Sequence, residues 1–246
     1  MNIFEKLFAQ TEIPKLYPVH FTLPRGTIKR AEIEALLFGE FAEKRLDYQI
    51  RPGMSVAIAV GSREITNLAE IVKTVVEFVK RSGGIPFIFP AMGSHGGAAA
   101  KGQLEVLSGY GVTEAAMGCP IRSSMETVQI STTAGGLPVH IDKYADEADG
   151  IIVIGRIKPH TDFRGKYESG LMKMLTIGLG KQCGANLCHS MGMSNMPETI
   201  EAYAGEVLRL KNVICGVGII EDAFHATYRL TVVPGGEITD REPALL

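Results

Sequence analysis

The sequence predicts an α/β fold, a mostly parallel sheet with helices on both faces. Three observations carry this reading. Short apolar runs at residues 54–61, 86–91, 151–155 and 213–220 are strand-sized and rich in branched or aromatic side chains, as strands buried on both faces are. Between the first two runs, Ile71, Val72, Val75, Val76 and Val79 recur at helical spacing. The resulting alternation of strand, loop and helix favours parallel pairing through right-handed crossovers.

The elements follow in order. Residues 1–50 open with an extended stretch around Pro14, Pro18 and Pro24. A helix then runs through Arg45, because Ala31, Ile33, Leu36, Leu37 and Phe41 fall on one face. Arg51-Pro-Gly turns the chain into the strand at 54–61. Residues 62–66 form a loop, Asn67 is placed to cap the next helix, and Ser82-Gly-Gly stops it. The strand at 86–91 leads into the loop MGSHGG and a helix over about 98–108. A long polar loop rich in glycine separates the strand at 151–155 from a helix near 197–210, and the strand at 213–220 follows. Residues 228–233 read as a strand, 234–236 as a turn and 238–243 as the start of a helix. The loops leaving 54–61, 86–91 and 151–155 should open at the carboxyl edge of the sheet, where open α/β sheets bind ligands.

Composition narrows the partners. Lys and Arg number 25 against 27 Asp and Glu, so the basic excess that a nucleic acid or an anionic membrane would require is missing. The apolar runs fall far short of the roughly 20 residues of a membrane span, and the opening Met1-Asn-Ile-Phe-Glu-Lys lacks an unbroken signal core. A soluble, cytoplasmic protein is expected. Cys119, Cys183, Cys188 and Cys215 form no CxxC pair and read as reduced thiols. Cys183 and Cys188 lie close to His189 in sequence, which leaves a soft-metal site open.

Three of the loops carry chemistry-bearing residues. Arg63, just past the first strand, can fork onto a phosphate or carboxylate, or be a plain surface arginine. His95 stands among small residues in GSHGG, where backbone can approach a ligand closely; packing is the alternative. Neither GxGxxG nor GxxxxGK[ST] occurs, so ordinary dinucleotide and P-loop readings lose their main support. The third loop gathers His160, Asp162, Arg164, Lys166, Glu168 and Lys173 around glycines. Lys173 lies in the apolar context Leu-Met-Lys-Met-Leu, where burial would disfavour the ammonium and leave a reactive amine; snorkelling to water is the competing role. Past the flexible turn at 178–181, His189 can ligate a borderline metal, although ordinary sites take three or four protein ligands.

As a set, these motifs resemble the lactate racemase family of nickel-dependent 2-hydroxy-acid racemases and epimerases. GSHGG at 93–97, IKPH at 157–160, SGLMK at 169–173 and the histidine sixteen residues beyond that lysine occur in the family's order. The likeness runs from about Tyr17 to the end and covers the family's N-terminal domain. It implies a Rossmann-like domain and an isomerase acting on a small 2-hydroxy acid by hydride transfer to and from a nickel-pincer nucleotide. That cofactor is a pyridinium-derived mononucleotide with two sulfur-bearing arms, one joined to a lysine as a thioamide. Its nickel is held by a carbon, two sulfurs and a histidine. By motif, the attachment lysine falls on Lys173, with Ser169 and Gly170 beside it in the cofactor shell. The nickel ligand falls on His189, the acid–base pair on His95 and His160, and the arginine contacting the cofactor phosphate on Arg63. Ser-Arg-Glu-Ile departs from the family's Thr/Ser-Arg-Pro, and the His160-to-Lys173 spacing is longer than in lactate-specific members. The resemblance further implies a cofactor-binding catalytic domain over 1–234, with 235–246 beginning the connection to a C-terminal domain as partner, so that this chain is incomplete as an enzyme. An NAD-type dehydrogenase domain and a cofactor-free binding domain are the other readings.

Overall fold

A computed structural model describes residues 2–9, 14–26 and 28–246. Its strands are β1 Ser55–Val60, β2 Ile85–Pro90, β3 Thr127–Thr132, β4 Pro138–Asp142, β5 Gly150–Arg156, β6 Val213–Glu221 and β7 Thr227–Pro234. Five of them form one sheet in the order β2-β1-β5-β6-β7. Neighbours are parallel from β2 to β6, and β7 is antiparallel to β6. The last strand reverses because a short turn joins it to β6, in which Asp222 Oδ1 accepts from the Phe224 and Ala226 N–H groups. β3 and β4 pair as a separate antiparallel hairpin.

Alternation along β1 builds the two layers. Val56, Ile58 and Val60 join an apolar cluster with the helices Ile33–Glu43 and Leu68–Arg81, while Ala57 and Ala59 face the cluster that includes residues of Lys181–Ser190 and Met196–Leu210. On that second face the sheet is small-residued, and the chain of 171–178 settles directly onto it. A Cβ on Gly216 would lie 2.5 Å from Leu171, and one on Gly155 would lie 3.0 Å from Met174. Small strand residues thus set the height of the segment that carries Lys173.

Some local expectations are corrected. Asn67 precedes the helix Leu68–Arg81, but its backbone is left-handed (φ 64°) and its side chain caps nothing. The amide instead donates to Thr227 Oγ1 at 3.0 Å, tying the helix start to β7. The long polar loop after β5 contains the helix Leu171–Lys173, a π-helical turn Met174–Gly178 and the helix Lys181–Ser190. The helix start expected at 238–243 is present as Ile238–Arg241, and residues 235–246 form short helical turns with Ile238 and Glu242 buried. The cysteines are free thiols, of which Cys183 alone is exposed. Among the described residues no helix is long and apolar enough to cross a membrane.

Candidate functional site

β1 has β2 on one side and β5 on the other, so the chain's direction of travel across the sheet reverses at β1. The crevice outside the carboxyl ends of strands at such a switch point is where open sheets take ligands. Arg63, His95 and His160 sit on the loops that leave β1, β2 and β5.

His95 stands immediately before the 3-10 turn Gly96–Ala98. Its Nδ1 is hydrogen-bonded to the Ser62 hydroxyl, and the Ser62 carbonyl accepts from the Tyr110 hydroxyl at 2.7 Å. The β1 and β2 loops are thereby locked together, which leaves Nε2 of His95 for a ligand. Gly96 is required here: its φ is 64°, and a Cβ would lie 2.5 Å from the Gly102 carbonyl carbon. The His95 pKa is lowered, first by the protein desolvating its inner side and then by the Arg63 charge.

His160 is oriented just as firmly. Its Nδ1 accepts from the Asp162 N–H at 3.1 Å, so the neutral ring carries its proton on Nε2. Its own backbone N–H donates to Glu168 Oε2 at 2.6 Å, and Gly165 N–H donates to Oε1 at 3.2 Å. The buried Glu168 carboxylate therefore holds both ends of the loop. The imidazole stacks on Phe163 with centroids 4.2 Å apart, and Lys173 Nζ lies 5.4 Å from that same ring. Desolvation lowers the His160 pKa, and the Lys173 charge lowers it further.

Lys173 ends the helix Leu171–Lys173 and is half-buried. Burial, with a contribution from Arg63, lowers its pKa to about 8. About a tenth of it is then free amine at pH 7. Arg63 is exposed and among the described residues has no acidic partner, unlike Arg156, whose guanidinium is salt-bridged to Glu221. Asp162 is the acid whose charge bears on Lys173, against Arg63 and Lys158. The site is net cationic, and it suits anionic groups.

Ser169 pairs through its backbone with Lys158, at 2.9 and 3.2 Å, closing the neck of the loop. Gly170 has an extended φ of 173°, and its lack of a side chain is what admits Glu242, since a Cβ would lie 2.3 Å from Glu242 Oε1. Glu242 is 1% exposed and accepts from the Met172 N–H at 2.8 Å, with Leu171 N–H as a second donor. Among the described residues no cation is paired with it, and burial pushes its pKa up to about 7 from 4.5. A carboxyl group with a raised pKa in the fold contributes stability that is complete below about pH 4.5 and is lost as pH rises through about 7. The loss amounts to about 3 kcal/mol. Urea midpoints of wild type and Glu242→Gln, compared across pH 4.5–8, should therefore diverge with the wild type falling; parallel profiles would refute the coupling.

His189 lies in the last turn of Lys181–Ser190 and is exposed. Ala185, four residues earlier on the same helix face, would be 3.5 Å from a Cβ on Gly93, so this face abuts the His95 loop. Cys188 is buried with its thiol pushed up to about 12, whereas Cys183 and His189 are exposed, so the three do not form a soft-metal site. Among the described residues, no three His, Cys, Asp or Glu side chains gather as a metal site. A metal at His189 would need its other ligands from a bound group, and Lys173, with its lowered pKa, has the chemistry of an attachment point for one. The donor set thus fits a pincer-type cofactor. Sequence reasoning overlooked Glu242, Phe163 as a shared ring, and the buried Lys181, Gln103 and Asp142; only Lys181, following a glycine turn, had any local signal.

Fold and site together define an open, mostly parallel α/β domain that carries Arg63, His95 and His160 on the loops at its switch point. The chain belongs to the lactate racemase N-terminal domain family, whose model matches residues 13–200. It is similar in fold to the lactate racemase apoprotein from Thermoanaerobacterium thermosaccharolyticum, with a TM-score of 0.68 and 13% identity. That alignment covers 96% of this chain and 60% of that one. No curated protein matches the sequence.

Proposed function

We propose that this chain is the cofactor-binding catalytic domain of a 2-hydroxy-acid racemase or epimerase. The observation that carries this reading is one cluster: Arg63 acts electrostatically on both His95 and Lys173, and Lys173 acts on His160. These are the positions to which the family motifs assign phosphate contact, acid–base work and cofactor attachment. A nickel-pincer nucleotide would be joined at Lys173, its phosphate met by Arg63 and its nickel by His189, with Ser169 and Gly170 shaping the neighbouring turn. The chemistry such a group supplies is reversible acceptance of the substrate's Cα hydrogen with its bonding electrons.

The protein's own part is proton handling and positioning. Inversion of a 2-hydroxy acid requires the hydroxyl proton to leave as the Cα hydrogen leaves, giving a planar 2-keto acid. A neutral imidazole at His95, with its Nδ1–H donated to the Ser62 hydroxyl, takes that proton through Nε2; in the reverse direction His160 does so once its ring proton has moved from Nε2 to Nδ1, releasing the Asp162 N–H. The lowered pKa values keep both rings largely neutral at pH 7, ready to act as bases. The surplus positive charge attracts the substrate carboxylate.

The test is intact-mass and peptide analysis of protein from a host that makes the cofactor, followed by chiral chromatography on a panel of 2-hydroxy acids. An adduct at Lys173 with interconversion of enantiomers is expected. Protein that stays unmodified under those conditions would overturn the reading.

A further inference from the structure

Behind the His95 loop lies a buried polar chain that the proposed reaction does not use. Lys181, Gln103 and Asp142 are each 0% exposed. Lys181 Nζ donates to the Pro90 carbonyl at 2.6 Å and to the Gln103 carboxamide oxygen, and it lies 3.6 Å from Asp142 Oδ2. Among the described residues that Asp142 oxygen is a buried polar atom without a hydrogen-bond partner, and the Lys181 charge offsets its burial while the other oxygen accepts from the Tyr144 N–H. The other end of Gln103 turns toward the site: its Nε2 donates to the carbonyls of Gly93 at 3.0 Å and His95 at 3.3 Å. Lys181 reaches this position from a left-handed backbone (φ 54°), a conformation uncommon outside glycine and held here against its local cost.

We propose that the buried Lys181–Gln103 pair is the positioning device of His95. The ammonium fixes the carboxamide oxygen, which fixes which way its N–H groups point. Those N–H groups then hold the two carbonyls that flank residue 94. The Ser62 hydroxyl orients the imidazole from the front, and Gln103 holds its backbone from behind. A buried polar network of this kind favours one arrangement, because others leave further charges or amides unpaired in the interior. Its catalytic meaning rests on His95 being an acid–base group; the mechanical link does not.

The experiment uses the full chain and three variants. Gln103→Met keeps the volume and removes both hydrogen-bonding ends. Gln103→Glu keeps an acceptor for Lys181 but has no N–H for the loop. Lys181→Met combined with Asp142→Asn removes the ion pair together, so that no lone charge stays buried. Hydrogen exchange is read at the amides of residues 94–99, and the His95 imidazole is titrated by NMR. Exchange there should quicken about ten-fold or more in all three, while the helix Leu68–Arg81 keeps its protection. The His95 pKa should climb back toward 6.5 as the loop leaves Arg63. In the cofactor-loaded protein, kcat should fall on the order of ten- to a hundred-fold with the Lys173 adduct intact. Unchanged exchange and titration in either folded Gln103 variant overturns the proposal. So does loosening in those two but not in the Lys181→Met/Asp142→Asn chain. Should the double variant fail to fold, Gln103→Met decides alone. A wild type without adduct or racemisation refutes the functional reading and leaves the exchange result standing.

Discussion

Lys173→Ala should abolish racemisation and leave a protein with no covalent adduct, while folding almost as the wild type does. The reasons are local. The amine is half-buried beside Phe163, and burial together with Arg63 brings its pKa to about 8, so an unprotonated nucleophile is available near neutrality. Ordinary lysines are protonated almost entirely at that pH. Lys173→Arg is the sharper control, since it preserves charge and length yet offers no amine of ordinary reactivity. Both variants should run at the unmodified mass, and neither should interconvert enantiomers above background. Removal of a desolvated cation that faces Arg63 and Lys158 relieves repulsion, so the melting temperature of Lys173→Ala should not fall by more than a few degrees. An adduct persisting in either variant would move the attachment point to another residue. Activity in the adduct-free protein would dismiss covalent attachment as a requirement.

What the sequence made legible follows from where the physics is local. β1, β2, β5 and β6 are buried on both faces, so each is an unbroken apolar run, and the loops behind them could be assigned to one edge of the sheet. This is why Arg63, His95 and His160 could be grouped before any coordinates. The hairpin was illegible because Thr127–Thr132 is half-exposed and polar, and the apolar burial of its partner comes from Val139 and Ile141 alone. The helix Lys181–Ser190 was illegible because its sequence has little apolar periodicity; burial of Gly184, Ala185 and Cys188 against neighbours forms it. Asn67 had the composition of a cap but not the conformation, since Thr227 on β7 competes for its side chain. The support behind Lys173 and His95 is non-local. Glu242 meets Met172 across 70 residues and Lys181 meets Gln103 across 78, and neither pairing leaves a trace in the spacing.

For His95 and His160, alanine in place of either should lower racemisation on the order of 10²–10⁴-fold, the usual range for a positioned acid or base. The two rings reach the site by different means, which makes the pair of variants informative. His95 is held by the Ser62 hydroxyl on the β1 loop, and His160 by the Asp162 N–H and the Phe163 face on the β5 loop. Both keep Nδ1 engaged, so Nε2 is the working atom in each, and in His160 it carries the ring proton until the tautomer changes. Loss of one histidine should penalise the two reaction directions unequally in pre-steady-state measurements, because each serves a different face. At equilibrium the Haldane constraint restores the ratio. The pH dependence supplies a second readout. A base must be neutral to act, and both pKa values lie below 6.5, so the acid limb of kcat/KM should fall away below 6.5 rather than at neutrality. Replacing Arg63 by Met removes a positive charge from beside His95 and should move that limb upward in pH. The Lys173 adduct and the nickel content should survive in both histidine variants, as neither residue is assigned to the cofactor. Rates near wild type in His95→Ala or His160→Ala would remove that residue from the mechanism. Loss of nickel would transfer it to the cofactor shell.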